Sequence, residues 1–410
     1  MRASRALTSN PRLLVVLSGL QFVLFPIPVI TLYWKDQIGM SLTDIMVLQA
    51  IFGLAVVLFE FPSGYIADRA GYRRSLITGA LLSVIGWAIY ARAATFAGVM
   101  AAEIVLGAGL AFISGADRAL LWTSLERAGR GAQYVRWEGR LRAAGQTSEA
   151  ACGAAGGWLY AIGPRWPFIL QIPVSVLKLA TVLALREPRP PRSAVHRSHV
   201  ERALGIVRFT LWQHRRLPAA IGLNVALGLS TFVLVWLIQP YMQSRGLPPA
   251  WFGLIWAGAH ACLAGVSLAS DRLVSAVGAR AVLLGCCLLV PMGYAGLAAS
   301  RSAWGVLFYL CFMTVRGLQG PILARVMQED APGEDRASVL SLAALSFRLS
   351  FVVAGPPVGR LVDHAGLDAS LAWLAALFAL ITLGAWAAFA RVHDGAPVAL
   401  SREFRYRPKP

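Results

Sequence analysis

The sequence predicts an all-helical integral membrane protein with twelve transmembrane helices in two pseudo-symmetric six-helix halves. Three observations carry that expectation. Hydrophobic residues make up 57% of the chain and charged residues only 14%, more apolar surface than one water-soluble core can hide. A bilayer core about 30 Å thick needs roughly 20 apolar residues per helix, so 410 residues supply about twelve spans and short loops. One long polar interval, rich in Arg, Pro and His, runs from Arg186 to Arg216 and leaves six apolar runs on each side.

The first half is expected at residues 1–186, with spans at 11–33, 42–64, 75–94, 97–121, 139–163 and 166–186. Span 1 is interrupted by Pro26 and Pro28, and such breaks free backbone carbonyls where a cavity can use them. A basic linker at 187–216 follows. The second half, 217–392, holds spans at 217–241, 249–270, 280–299, 302–325, 337–360 and 368–391, and a basic tail occupies 393–410. Leu371 to Ala390 is apolar all round, where a membrane β-strand would alternate, so helices are expected throughout.

A net charge of +18 raises the question of a nucleic-acid partner, and its distribution answers against one. With the N-terminus inside, 29 of the 38 Lys and Arg residues fall on the cytoplasmic side, six outside and three, Lys178, Arg316 and Arg348, within spans. The positive-inside rule then places both termini in the cytoplasm and accounts for the charge without a polyanion. Arg outnumbers Lys 35 to 3 and Ala is abundant, which fits a GC-rich bacterial genome, so the membrane expected is a bacterial inner membrane. Span 1 is long and lacks a small-residue cleavage site, so no cleavable signal is expected. Cys152, Cys262, Cys286, Cys287 and Cys311 all sit in spans and read as small buried residues.

The halves look like copies of one design. A shift of 203 residues brings Asp68-Arg69 onto Asp271-Arg272, Gly156 onto Gly359 and Gly163 onto Gly366. Gly71-Tyr72-Arg73 resembles Gly278-Ala279-Arg280 at an offset of 207. Duplicated six-helix units are the pattern of transporters whose halves rock about a site at their interface.

Residues 59 to 74 read FEFPSGYIADRAGYRR. Gly64 suits close helix approach, Gly71 suits a tight turn, and Asp68 lies before span 3, where a helix N-terminus favours negative charge. The stretch resembles the loop 2–3 signature of the major facilitator superfamily (MFS), G-x-x-x-D-R-x-G-R-[RK]: Gly64, Asp68, Arg69, Gly71 and Arg73 match, and Tyr72 departs. The resemblance implies a latch that holds the two halves together in the outward-facing state, a gating role and not a substrate site. Asp117, followed by Arg118, resembles the acidic partner of that charge cluster, the plain alternative being a local surface ion pair. Two departures limit what carries over. In span 4 the R-x-x-x-G-x-G pattern appears with Glu103 in place of the arginine, before Gly107 and Gly109. In span 5 the drug-antiporter signature G-P-x-x-G-G appears only as Cys152-Gly153-Ala154-Ala155-Gly156-Gly157, while span 11 carries Gly355-Pro356-Pro357-Val358-Gly359.

An ionisable group at mid-membrane costs about 2.5–3.5 kcal/mol, so each one needs a partner, water or a function. Glu149 in span 5, Arg348 in span 11 and Arg316 in span 10 are the leading candidates for a substrate or proton pathway, the alternative being a permanent ion pair. Glu103 lies nearer the periplasmic face, where hydration would suffice. By the resemblance, spans 1, 4, 7 and 10 line the cavity, which adds Gln21, Asn224 and Gln319, with Thr31, Ser230, Thr231 and Thr314 as further polar groups. His260 could sense pH, although a lone histidine more often packs as a satisfied core residue, and His196 and His199 lack further metal ligands. No phosphate loop, nucleophile triad or metal cluster is visible, so the sequence implies no cofactor, no metal and no enzyme.

The expectation is a monomeric secondary transporter that moves a small solute by alternating access, by proton-coupled efflux of an amphiphilic compound, among membrane lipids. An importer or facilitator of a polar metabolite is the alternative within transport. A non-transporting membrane receptor or lipid-handling scaffold is the alternative from another class.

Overall fold

The computed structural model describes residues 8–188, 207–210, 214–331 and 336–393, with the side chains of Asp68 and Ala337 left out. His196, His199 and the tail from 394 onward lie outside the described residues. Those residues form helices and short connections, with no strand among them. Ten helical stretches are long and apolar enough to cross a membrane by length and composition. Two expected spans fall short of that measure for visible reasons. Span 1 is broken, and span 5 (Tyr134–Ile162) carries Arg136, Glu138, Arg140, Arg142 and Glu149 along one continuous helix.

Span 1 begins as an α-helix (Asn10–Gln21), loses helical form before Pro26, and resumes through a 3-10 turn (Ile27–Val29), one α-turn (Ile30–Tyr33) and a π-turn (Trp34–Ile38). Pro26 and Pro28 lack the N–H groups a continuous helix would use. The remaining helices are span 2 (Leu42–Ala70), span 3 (Tyr72–Arg92), span 4 (Phe96–Ile113, continued by Ala116–Arg127) and span 6 (Trp166–Ala184). The second half has span 7 (Arg216–Ser244), span 8 (Pro249–Val277), span 9 (Ala279–Ala299), span 10 (Tyr309–Asp330), span 11 (Arg336–Ala365) and span 12 (Leu367–Val392).

The expected duplication has a backbone counterpart. Gly71 joins span 2 to span 3 at φ 102° and ψ 153°, and Gly278 joins span 8 to span 9 at φ 84° and ψ 150°. L-residues with a Cβ rarely adopt that geometry, so each copy of the unit needs glycine there.

One end of the bundle carries Arg186 and Arg216 and is called the linker end; the other, with residues 39–41 and 245–248, is the distal end. Spans 2 and 11 pack against each other across the two halves, as do spans 5 and 8. Glycines permit both approaches: a Cβ on Gly359 would lie 2.6 Å from Thr43 Cα, and one on Gly253 would lie 2.6 Å from the Ala154 carbonyl oxygen. The glycine-rich stretch of span 5 works in the same way, with Gly157 facing the Pro249 carbonyl of span 8 and Gly156 facing Pro28 at the break in span 1. Gly64, expected to support a close approach, faces open space here.

Candidate functional site

A cavity of about 460 Å³ lies between the halves, with walls from both. Its surface is mostly aromatic and aliphatic. Trp34 and Trp87 of the first half and Trp236 and Trp256 of the second line it, joined by Phe232, Phe347 and Phe351. Trp34 stacks on Trp236 across the interface with ring centroids 5.7 Å apart, and Phe232 meets Trp236, Phe347 and Phe351 edge-on.

The distal side of the cavity is closed by bonds between the halves. Gln239 of span 7 is fully buried; its Oε1 accepts from the Thr31 N–H at 2.9 Å and its Nε2 donates to the Ile27 carbonyl at 2.8 Å. One side chain therefore serves the backbone groups that the break in span 1 leaves without helical partners. Nearer the distal surface, Gln243 accepts from Lys35 and donates to Asp36, while Asp363 accepts from the Leu42 and Thr43 N–H groups. At mid-depth the halves meet through two ionisable pairs: Glu149 to His260 Nε2 at 3.3 Å, and Glu60 to Arg348 at 3.2 Å. The bonds between the halves described here thus lie at the distal end and at mid-depth.

Of the residues expected to form the pathway, Gln21, Glu103, Glu149, Arg316 and Arg348 all line this cavity. Asn224 and Gln319 do not, although Gln319 is buried behind Gly228. Glu103, expected near a hydrated surface, is 5% exposed and accepts a hydrogen bond from Tyr90 Oη at 2.9 Å, while Tyr90 Oη accepts from Trp34 Nε1 at 2.6 Å. Neither Glu149 nor Arg348 is paired with another candidate; the pairing runs instead to His260, expected above to pack, and to Glu60 of the stretch at 59 to 74. Ser230 and Thr231 bond to carbonyls of their own helix.

Lys178, noted above as a charge within a span, also belongs to the site. It is 5% exposed on the cavity wall, and its Nζ donates to Ser83 Oγ at 2.6 Å and Gln21 Oε1 at 3.1 Å. An ionisable residue midway along span 6 was signal enough to single it out. For His260 no local signal existed, because its partner lies in the other half of the chain.

The segment matching the loop 2–3 signature is engaged within its own half. Arg73 donates to the Leu183 carbonyl at 2.8 Å, and Glu187 accepts from the Tyr72 and Arg73 N–H groups at 3.2 and 2.6 Å. The carboxylate that caps span 3 is thus Glu187; the Asp68 side chain is not among those described. Arg69 lies over the Tyr65 ring, and Asp117 pairs with the neighbouring Arg118, which also reaches Glu138. All five cysteines are free thiols, and no cluster of possible metal ligands occurs among the described residues.

A family model described as the Major Facilitator Superfamily matches residues 13–355. The chain belongs to the Major Facilitator Superfamily. Solved structures of this fold lie over nearly the whole MFS chain at low identity. The nucleoside transporter NupG superposes with TM-score 0.78 at 14% identity, covering 93% of this chain and 99% of its own. A POT family transporter in complex with a thioalcohol-conjugated peptide gives 0.73 at 13% identity, covering 95% and 97%. A bacterial homologue of the human lysosomal transporter Spinster, in an inward-facing and unoccupied conformation, gives 0.70 at 13%, covering 94% and 96%. In sequence, the drug efflux pump JefA of Mycobacterium tuberculosis is 26% identical over 204 residues, 48% of this chain and 39% of the pump. This MFS chain therefore matches about two fifths of that relative's length.

Proposed function

We propose that this chain is a secondary transporter of the bacterial inner membrane, with both termini cytoplasmic, that exports a small amphiphilic solute in exchange for protons. The observation that carries the reading is the cavity: it lies between the halves, its distal side is closed by Gln239, Gln243 and Asp363, and its wall combines aromatic rings with titratable side chains. With the linker end cytoplasmic, the arrangement is the inward-facing state of an alternating-access cycle. Glu149 and His260 contribute the groups for proton coupling, since a carboxylate and an imidazole from opposite halves share one proton position only while the halves are in register. The partial likeness to a drug efflux pump supports the direction of transport.

The test uses the purified chain in liposomes with an entrapped pH-sensitive dye, challenged with amphiphiles of either charge. Solute-evoked proton movement, with accumulation that follows an imposed pH gradient, is expected. Solute flux indifferent to the gradient would point to a facilitator, and no flux at all to a receptor or scaffold.

A further inference from the structure

The carboxylates around the cavity are already engaged. Glu60 is paired with Arg348, Glu149 meets His260, and Glu103 accepts from Tyr90. Two of its cations form no ion pair with an acid, although Arg316 and Glu149 both lie within electrostatic range of the buried Tyr309 hydroxyl. Lys178 of the first half has only the neutral Gln21 and Ser83 as partners, and Arg316 of the second half lines the cavity with no hydrogen bond or ion pair among the described residues. An arginine cannot give up its proton, so its guanidinium enters the cavity as a fixed positive charge with five unused donors.

We infer that the solute is an amphiphilic organic anion, whose carboxylate-like group is taken by Arg316 and whose aromatic body lies among the tryptophans and phenylalanines. The inference rests on the reading of this cavity as the solute site. Charge-assisted hydrogen bonds to a planar fork are strong and directional, and Phe232, Phe347 and Phe351, with the edges of Trp236 and Trp256, give the same cavity an apolar lining. Lys178 adds positive potential from the opposite wall. Since the two unmatched cations belong to different halves, an anion between them interacts best when the halves draw together at the linker end, which gives the solute the differential affinity a conformational change requires. Aromatic walls also attract cations through their ring quadrupoles, so a cationic solute is the direct competitor. A cation, however, would leave Arg316 unanswered and would have to displace a partner from each acid.

The test is calorimetric titration of the purified full chain in detergent with three probes that share one ring system: naphthalene-1-acetate, the neutral naphthalene-1-acetamide and the cation 1-naphthylmethylammonium. All fall within the range of pockets of a few hundred Å³. The anion is expected to bind at least about tenfold more tightly than either of the others. Arg316→Gln should bring the anion to the affinity of the amide and leave the amide unchanged, with Arg316→Lys in between. Equal affinities, preferred binding of the cation, no binding of the anion, or an Arg316→Gln chain that still prefers it would overturn the assignment. If that variant fails to fold, the charge series on the unaltered chain decides. Binding is read with no gradient, so a chain that prefers the anion yet drives no flux fails only the transport reading. A chain that exchanges protons for cations alone fails only this one.

Discussion

Glu149 and His260 form a contact that behaves differently from an ordinary buried ion pair. Removing one partner of a fixed pair strands a charge and costs about 3–5 kcal/mol. Histidine escapes that penalty by releasing its proton, so Glu149→Gln should leave a folded protein whose thermal midpoint changes by less than about 4 °C. Under the coupling hypothesis the same variant should lose gradient-driven accumulation while retaining solute exchange. Both quantities can be measured on one purified preparation, and a stable variant with undiminished driven transport removes Glu149 from coupling. Single-residue chemistry explains what the sequence disclosed here and what it concealed. The penalty for a charge in a membrane makes Glu149, Arg316 and Arg348 conspicuous, and it applies equally to Lys178. Their partners were hidden. Glu149 and His260 are separated by more than a hundred residues, and Glu60 and Arg348 by 288, so no periodicity or local spacing joins them.

Among the elements, the broken span 1 and the unbroken span 7 explain how the distal end closes. Pro26 and Pro28 announced the break, but nothing in the sequence identified Gln239 as the group that satisfies it, because that requires knowing which helix faces the gap. Gln239→Ala would leave the Thr31 N–H and the Ile27 carbonyl without partners whenever the distal end is closed. With each net hydrogen bond worth about 0.5–1.5 kcal/mol, the closed population should fall about tenfold relative to the open one. Electron spin labels at Gln37 and Ser302, exposed distal positions in opposite halves, would report this as growth of a longer-distance component. No change in the distance distribution would show that the glutamine fills space without holding the gate. The span 5–span 8 contact leads to a companion expectation. Gly253→Val adds bulk where even a Cβ would lie 2.6 Å from a backbone oxygen, and overpacking of about 1–3 kcal/mol should also favour the distal-open state, by about fivefold or more. The glycines of span 5 were legible as a motif fragment, yet their physical task, letting two backbones touch across the halves, became visible only with the neighbouring helix in place.

On the scale of the whole molecule, the described bonds between the halves lie at the distal end and at mid-depth, and a linker-closed state would draw on groups that are otherwise occupied here. The segment from Gly64 to Arg73 fits that description. Gly64 faces open space, Arg73 is bonded to span 6, and Asp117 is paired with its neighbour, each within the first half. From the superfamily resemblance we propose that Asp68 belongs to a latch that forms when the linker end closes. A charge that acts only in one state shifts the balance of states by its differential interaction, about tenfold for each 1.4 kcal/mol, without touching the cavity. Asp68→Asn should therefore enrich the state described here. Spin labels at Ala132 and Ser275, exposed at the linker end of opposite halves, should show a larger long-distance fraction, and turnover should fall because return to the linker-closed state becomes rare. Solute affinity of the linker-open state should stay within about twofold, since no cavity contact has changed. Lost flux accompanied by weakened binding and an unaltered distance distribution would instead place Asp68 in the solute pathway and end its assignment to the latch.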